Sequence, residues 1–228
     1  RDRAMGFCFY NNVAVAAAHA KTLGAARVAI VDYDVHHGNG TQQMFEADPS
    51  VLYVSLHQFP HYPGTGAATE VGVGKAAGHT VNVPLESGAT DDDYREVFGM
   101  VVIPVLREFE PDILLVSAGF DADARDPLAD MRLTTGAFAA MTGDLRAVAD
   151  KHARGRLVLL TEGGYDLTAL EEGLEAAIEA LAGPAAAVEW PSGAGTHRGA
   201  AAVTRDQAGR IVAFLLPMTA FVLATSLV

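Results

Sequence analysis

The sequence predicts one α/β domain with a central parallel sheet and helices on both faces. Five short runs are almost wholly apolar, as in strands buried on both faces: 27–32, 51–56, 79–85, 112–117 and 156–161. Helix-like stretches alternate with them, at about 11–23, 90–108, 134–152 and 166–182. Such alternation is typical of a parallel sheet covered by helices on each side.

The elements follow one another without an internal repeat. The first helix-like stretch precedes the run 27–32, which leads directly into a polar motif and a second, short helix. Three acids, Asp91 to Asp93, stand at the start of the stretch 90–108. Negative charges there interact favourably with the helix dipole, so the helix is expected to begin at these residues.

The length of the chain allows one sizeable domain, and its net charge disfavours one class of partner. A chain of 228 residues buries roughly 70–75% of its unfolded surface, which is enough for one sizeable core. The net charge of −12 repels phosphate backbones, so nucleic acid is not an expected partner. A polycationic partner would be attracted to the same surface, and carboxylates that bind a metal would account for part of the charge.

The single cysteine, Cys8, cannot form an internal disulfide, which favours a reducing, cytoplasmic location. Its expected role is that of a small buried apolar side chain. The first five residues resemble neither a signal peptide nor a targeting sequence. Because the chain also does not begin with Met, it is expected to be a piece of a longer protein.

Composition divides the chain into three parts. Residues 1–183 carry the predicted domain, 184–210 are rich in Ala, Gly and small polar residues and are predicted to be a linker, and 211–228 form an apolar tail. Eighteen uncharged residues are at the lower limit for crossing a bilayer, and Pro217 interrupts them. Membrane contact by the tail is therefore less favoured than docking on the domain or a non-native terminus.

The densest chemical signal follows the first apolar run, in residues 31–41. Ligand sites of open α/β sheets lie at the carboxyl ends of strands. In an extended chain Asp34 and His36 point to the same side, because side chains alternate. A carboxylate and an imidazole directed at one point are two ligands for a metal.

A third ligand is predicted at Asp121, which follows the apolar run 112–117 at the same edge of the sheet. Two carboxylates and one neutral histidine would balance the charge of a divalent cation. The last strand leads into Glu162-Gly163-Gly164-Tyr165, where glycines let the backbone approach a ligand and Tyr165 offers a hydroxyl.

Five motifs in this order resemble the histone deacetylase family, in particular its class II and bacterial deacetylase-like members. They are residues 6–12, the Asp32 to Thr41 stretch, Ser55-Leu56-His57 with Pro63-Gly64-Thr65-Gly66, Ser117 to Asp121, and Glu162 to Tyr165. The resemblance extends from residue 1 to about 183. It implies an arginase/deacetylase-like three-layer α/β fold with a central parallel sheet.

The resemblance also implies a site. Zinc would be held by Asp34, His36 and Asp121, and Tyr165 would hydrogen-bond the carbonyl of acetyl-lysine in a protein or peptide. A structural potassium ion would use Asp32, Asp34, the backbone of His36 and Leu56, and Ser55. The acyl-lysine tunnel would be lined by Phe7, Tyr62 and Gly164, with His57 and His61 in the adjoining loop and His37 packed structurally.

In the family, a histidine pair that transfers protons precedes the motif beginning at Gly6. Residues 1–5 contain no histidine, so this piece is expected to be impaired as a zinc-dependent deacetylase. Asp32 and Asn39 match the positions that orient the pair. General acid–base catalysis contributes about 10²–10⁴ to the rate, which sets the size of the expected loss.

Three other functions stay open. An acetylpolyamine amidohydrolase would share the site, although the Pro63 to Gly66 loop is closer to that of the lysine deacetylases. A ureohydrolase with two metals would use Asp123 as well, but Gly38 stands where it needs a further acid. A non-catalytic module that binds acyl-lysine would keep the ligands and lose turnover.

Overall fold

The computed structural model describes residues 4–184 and 188–193. The helices are α1 (Asn12–Thr22), α2 (Asn39–Phe45), α3 (Asp91–Val97), α4 (Ile103–Phe109), α5 (Thr135–His152) and α6 (Leu167–Ala182). The strands are β1 (Val28–Asp32), β2 (Val51–Gln58), β3 (Thr80–Leu85), β4 (Ile113–Ala118) and β5 (Leu157–Thr161). Every predicted strand and helix is present, with ends within about two residues of the predicted ones.

The five strands form one parallel sheet in the order β3-β2-β1-β4-β5. The central strand is β1, the first in sequence. The next two strands, β2 and β3, lie on one side of it, and β4 and β5 lie on the other. The strand order therefore reverses between β1 and β4. In open parallel sheets the crevice beyond such a reversal is where ligands bind.

Helices cover both faces of the sheet. On one face α1 packs Val13 and Ala17 onto a small core that includes Ile30 and Leu115. On the other face a larger core joins α3 to α6, with Phe98 and Phe138 among its fully buried side chains. The result is the predicted three-layer α/β arrangement.

The sheet is buried unevenly. Every residue of β1 and β2 is buried, as their apolar sequences predict. Burial on both faces was also predicted for β5, and there the prediction is wrong: Val158 is 45% exposed and no residue of the strand is fully buried. In the part of the chain that the structure describes, β5 is an edge strand that pairs with β4 alone.

The helix predicted over 90–108 is interrupted. A π-helical turn, Phe98–Val102, separates α3 from α4, just before Pro104, which has no N–H to donate. The acids at the start of this stretch interact with the helix dipole and also accept specific hydrogen bonds. Asp93 accepts hydrogen bonds from the N–H and hydroxyl of Thr90, and Asp91 accepts both the N–H and hydroxyl of Thr134 at the start of α5.

Part of the predicted linker contacts the domain. Trp190 donates its indole N–H to Asp144 on α5 at 2.9 Å, and its ring lies 5.4 Å from that of Phe98. The remainder of the segment, apart from Pro184 and 188–193, and all of the tail 211–228 lie outside the described residues. Among the described helices, none has the length and apolar character needed to cross a bilayer.

Phe138 tests the larger core, because its ring contacts both Tyr33 beside β1 and Phe120 beside β4. We expect Phe138→Ala to lower the free energy of unfolding by about 3–5 kcal/mol, measured by urea titration. Leu167→Ala is the matched control, since Leu167 is 79% exposed and its loss should stay within about 0.5 kcal/mol. Equal losses for the two variants would contradict the assignment of this core.

Candidate metal centre and active site

The structure brings together the three residues predicted as zinc ligands. Asp34 and His36 follow β1, and Asp121 follows β4, so adjacent parallel strands deliver them to the same crevice. One ligand atom from each residue lies within 4.8 Å of the other two. The Nδ1 atom of His36 is 3.2 Å from Asp34 Oδ1 and 3.0 Å from Asp121 Oδ2.

Backbone N–H groups hold the two carboxylates in place. Asp121 accepts a hydrogen bond from the Val35 N–H at 2.9 Å, which ties the β4 loop to the β1 loop. Asp34 accepts the N–H of His36 and the N–H of Gly163, both at 2.8 Å. The residues that follow β1, β4 and β5 therefore converge on one pair of carboxylates.

Glycine is required where the backbone passes these carboxylates. A Cβ atom at Gly119 would overlap Asp34, and one at Gly163 would overlap the carboxylates of both Asp34 and Asp121. The glycine turn predicted from the sequence is thus a close approach of backbone to the ligands themselves, as expected of glycine at a binding site.

The charges of the site call for a cation. Burial and the neighbouring charge of Asp34 raise the pKa of the Asp121 carboxyl above its ordinary range. Burial lowers the pKa of His36, but its hydrogen bonds to Asp121 and Asp34 and their charges outweigh this and raise it. Two carboxylates and an imidazole form a neutral ligand set for a divalent metal, and zinc accepts these ligand types. The residues present therefore fit a zinc ion.

The site opens into a cleft of about 1030 Å³. Phe7 and Tyr62, predicted for the acyl-lysine tunnel, line it, as does Tyr165. Gly164, predicted with them, is not among the residues that line this cleft. The rings of Phe7 and Tyr165 lie 6.0 Å apart, the Tyr62 hydroxyl accepts the Gly6 N–H at 3.3 Å, and the Tyr62 ring is 6.2 Å from that of His36. Aromatic side chains therefore surround the approach to the metal ligands.

Tyr165 follows Gly164, whose φ of +145° is accessible mainly to glycine. Burial and the charges of Asp121 and Asp34 raise the pKa of Tyr165 to about 12. The hydroxyl therefore stays protonated near neutral pH and can donate a hydrogen bond.

The residues predicted for potassium lie beside the predicted zinc ligands. Asp32 and Ser55 are at the same level on the paired strands β1 and β2. Asp32 accepts the Tyr53 hydroxyl at 2.9 Å and the Asp34 N–H at 3.2 Å, and Ser55 hydrogen-bonds His57 at 3.0 Å. Leu56 is fully buried in the same strand.

Asp32 and Asn39, predicted to orient a histidine pair, both line the cleft. Burial and the charge of Asp34 raise the pKa of Asp32 well above its ordinary range. Asn39 donates to the sulfur of Met5 at 3.6 Å. His37 also borders the cleft but is buried, with hydrogen bonds to Thr65 and Gln42. Its predicted structural role stays a prediction.

Comparison with known proteins decides the family. Residues 1–181 match the family described as histone deacetylase domain. The chain belongs to the histone deacetylase family. Histone deacetylase 14, chloroplastic, of Arabidopsis thaliana is 44% identical over 180 residues, covering 78% of this chain and 43% of that protein. The histone deacetylase-like amidohydrolase of Pseudomonas aeruginosa is 45% identical over 194 residues, covering 83% of this chain and 50% of that protein.

Solved structures agree with this family assignment. The crystal structure of the HDA15 HD domain superposes with a TM-score of 0.84 at 40% identity, covering 93% of this chain and 57% of that one. The match establishes the arginase/deacetylase-like fold predicted from the motifs. The histone deacetylase-family chain described here spans about half the length of the curated relatives it matches.

Four side chains differ from their sequence-based interpretation or were not assigned to the site. Cys8 was expected to be buried and is instead exposed on the cleft. His61 stacks on the ligand His36 with ring centroids 5.1 Å apart. Glu162 lines the cleft and accepts the Ser117 hydroxyl at 3.2 Å. Asp123, which could have served a second metal, is paired with Arg125 at 2.9 Å. Only the tertiary contacts reveal these roles.

Proton binding at the ligands predicts how stability depends on pH. Asp121 and His36 have folded-state pKa values raised above their unfolded values of about 3.9 and 6.5. The stability that each contributes is complete below its unfolded pKa and is lost as the pH rises through its folded pKa. We therefore expect the melting temperature of the metal-free protein to fall between pH 5 and 8, and zinc to stabilise it more at pH 8, because zinc binds deprotonated ligands.

The matched variant for this measurement is Asp121→Asn, which cannot titrate at that position. Asp32 and Glu162 also have raised pKa values and titrate in both proteins, so the difference between the two melting curves isolates the ligand cluster. A pH dependence that Asp121→Asn leaves unchanged would count against the assignment.

Gly163 tests the close approach of backbone to ligands. Gly163→Ala should lower zinc affinity by about 10–100-fold, the usual loss when a group that holds metal ligands is disturbed. Competition with a chromophoric chelator measures the affinity. Gly99→Ala is the control, since a Cβ there meets nothing within 4 Å. Wild-type affinity in Gly163→Ala would show that the carboxylates bind no metal in this arrangement.

Proposed function

We propose that this chain forms the metal site of a zinc-dependent deacetylase that removes acetyl groups from acetyl-lysine in proteins or peptides. The observation that carries the proposal is the convergence of Asp34, His36 and Asp121 at the base of a cleft that Tyr165 also lines. Three protein ligands with an open position are the usual arrangement of a catalytic zinc site, whereas structural sites use four. The deacetylase and amidohydrolase relatives support a hydrolytic reaction.

A zinc ion bound here would supply Lewis-acid polarisation of the substrate carbonyl and would lower the pKa of a water molecule to about 7. The Tyr165 hydroxyl, protonated at neutral pH, is proposed to donate a hydrogen bond to the carbonyl oxygen as negative charge develops on it. Phe7 and Tyr62 would hold the apolar part of the lysine side chain, and Gly164 is proposed to adjoin the tunnel beside Tyr165. The chain thereby orients the acetyl group and stabilises the charge.

Proton transfer is assigned to the histidine pair that the family resemblance places before Gly6. Asp32 and Asn39, on the wall of the cleft, are proposed to orient it. A potassium ion held by Asp32, Asp34, Ser55 and the backbone of His36 and Leu56 is part of the same proposal. It is supported by the matching register of Asp32 and Ser55 in adjacent strands.

The test combines binding with turnover. With one equivalent of zinc, the 228-residue chain should bind a fluorescent acetyl-lysine peptide, and His36→Ala should abolish that binding. Acetate release should be slow. The histidine pair assigned to proton transfer would contribute about 10²–10⁴ to the rate, and residues 1–5 contain no histidine. Tyr165→Phe should lower the residual rate by about 10²–10³ without changing zinc affinity. Leu167→Ala, at a side chain 79% exposed and outside the cleft lining, is the control.

The other outcomes identify the alternatives. Zinc-dependent peptide binding with no acetate release over extended incubation would favour a module that only binds acyl-lysine. Release of acetate from acetylspermidine but not from the peptide would favour an acetylpolyamine amidohydrolase. Two zinc or manganese ions per chain by metal analysis would overturn the single-metal site.

A further inference from the structure

We propose that Asp126 is a positioning residue that fixes Tyr165 relative to the metal ligands. Its carboxylate Oδ2 accepts the backbone N–H of Tyr165 at 2.8 Å, across 39 residues of sequence. Asp126 is 6% exposed and lies in the loop that also supplies the ligand Asp121. The inference rests on the proposed function, in which Tyr165 donates a hydrogen bond to the substrate carbonyl.

The turn from Glu162 to Tyr165 is anchored at successive points. The Glu162 N–H donates to the carbonyl of Ala118, the Gly163 N–H donates to Asp34, and the Gly163 carbonyl accepts the N–H of Phe120, at 3.0, 2.8 and 2.8 Å. These contacts fix the backbone as far as Gly163. The next residue, Gly164, has a φ of +145° and no side chain, so no side-chain contact fixes the backbone at this position.

Beyond Gly164, the contact with Asp126 is what sets the position of the Tyr165 amide. The next residue, Asp166, serves a different element, because its carboxylate accepts the Ala169 N–H at 2.8 Å and caps α6. A shift of the Tyr165 backbone would move its hydroxyl relative to the carboxylates of Asp34 and Asp121. A misplacement of about 1 Å in a catalytic group can cost about 10²-fold in rate.

Asp126 is itself held in one orientation. Its second oxygen, Oδ1, accepts the Leu128 N–H at 2.9 Å, and its own N–H donates to the carbonyl of Asp123 at 3.0 Å. Asp123 pairs with Arg125, which also bridges to Glu172 on α6 at 2.9 Å. Both carboxylate oxygens of Asp126 are therefore committed to backbone amides, and hydrogen bonds to a charged acceptor are stronger than neutral ones.

The consequence for the site is that one loop sets two positions. Asp121 supplies a metal ligand, and five residues later Asp126 supplies the anchor for the tyrosine. The position of the Tyr165 backbone relative to Asp121 is thus set by one loop, in which Asp121 and Asp126 are both buried, although the tyrosine belongs to a different segment. A carboxylate suits this role because it offers two acceptor oxygens, whereas an amide offers one oxygen and one donor group.

Asp126→Asn tests the proposal with little change in shape. One of the two backbone amides would then face an NH₂ group, so the Tyr165 turn should shift. With the zinc-loaded chain and an acetyl-lysine peptide, we expect kcat to fall about 10–10²-fold, with KM and zinc affinity little changed. In a Tyr165→Phe background the same substitution should cost nothing further. A full additional loss in that background would overturn the proposal, since Asp126 would then act independently of Tyr165.

Asp166→Asn is the matched control: it removes a carboxylate next to Tyr165, yet Asn caps helices about as well as Asp. It should leave kcat within about twofold. If Asp126→Asn is unfolded at the assay temperature, Asp126→Glu keeps both acceptor oxygens, displaces them by one methylene, and is expected to lower kcat through the same route. Unchanged kcat in a folded Asp126→Glu or Asp126→Asn protein would overturn the proposal.

A readout without turnover separates this inference from the proposed function. Fluorotyrosine incorporated at position 165 reports the surroundings of the ring by ¹⁹F NMR. Asp126→Asn should shift or broaden this resonance, and Asp166→Asn should leave it in place. If the wild-type chain releases no acetate, the proposed function fails, while the ¹⁹F comparison still decides whether Asp126 positions Tyr165. An unshifted resonance in Asp126→Asn overturns the inference whatever the activity.

Discussion

Two carboxylates and one imidazole meet at the carboxyl ends of β1 and β4, and the surrounding structure is organised to hold them there. Like charges in a buried position are unfavourable unless a cation or hydrogen bonds compensate for them. Asp34 and Asp121 each accept backbone N–H groups. Gly163 lets its backbone come close enough to donate to Asp34, and Gly119 leaves the space that Asp34 occupies. The remaining charge is what a divalent metal would neutralise. This one electrostatic constraint explains why the loops that follow β1, β4 and β5 are hydrogen-bonded to one another.

The same loops connect the metal ligands to the rest of the cleft. The loop after β4 carries Asp121 and Asp126, and the turn after β5 carries Gly163 and Tyr165. Hydrogen bonds run between the two in both directions, so neither can move without the other. The proposed chemistry needs such rigidity, because a hydrogen-bond donor stabilises developing charge only when it is already in position.

Much of this arrangement could be predicted from local sequence. Apolar runs located all five strands, and their alternation with helices predicted the parallel sheet and its two helical layers. The convergence of Asp34, His36 and Asp121 could be predicted because strands of a parallel sheet end at a common edge, so that polar residues after β1 and β4 are neighbours. Comparison with relatives confirms the family and the fold. The roles of the individual site residues and of the potassium ligands stay predictions.

Other features had no local signal. The sequence gives no signal for Asp126, because nothing near it indicates that its partner is an amide 39 residues away. Cys8 looked apolar and buried, yet it lies exposed on the cleft. β5 looked like an interior strand, yet among the described residues it pairs with β4 alone. Burial depends on what packs against a residue, and that is decided by long-range contacts.

The sequence by itself therefore determined the elements, the parallel class of the sheet and the residue types gathered at one edge, since hydrophobic periodicity and the alternation of strands with helices can be read along the chain. Only the tertiary structure decided which groups touch. It placed His36 between two carboxylates, turned Asp123 towards Arg125 and away from the ligand cluster, and set Asp126 against the backbone of Tyr165. Contacts of this kind depend on distances of a few ångströms between segments far apart in the chain, and residue spacing along one strand carries no information about them.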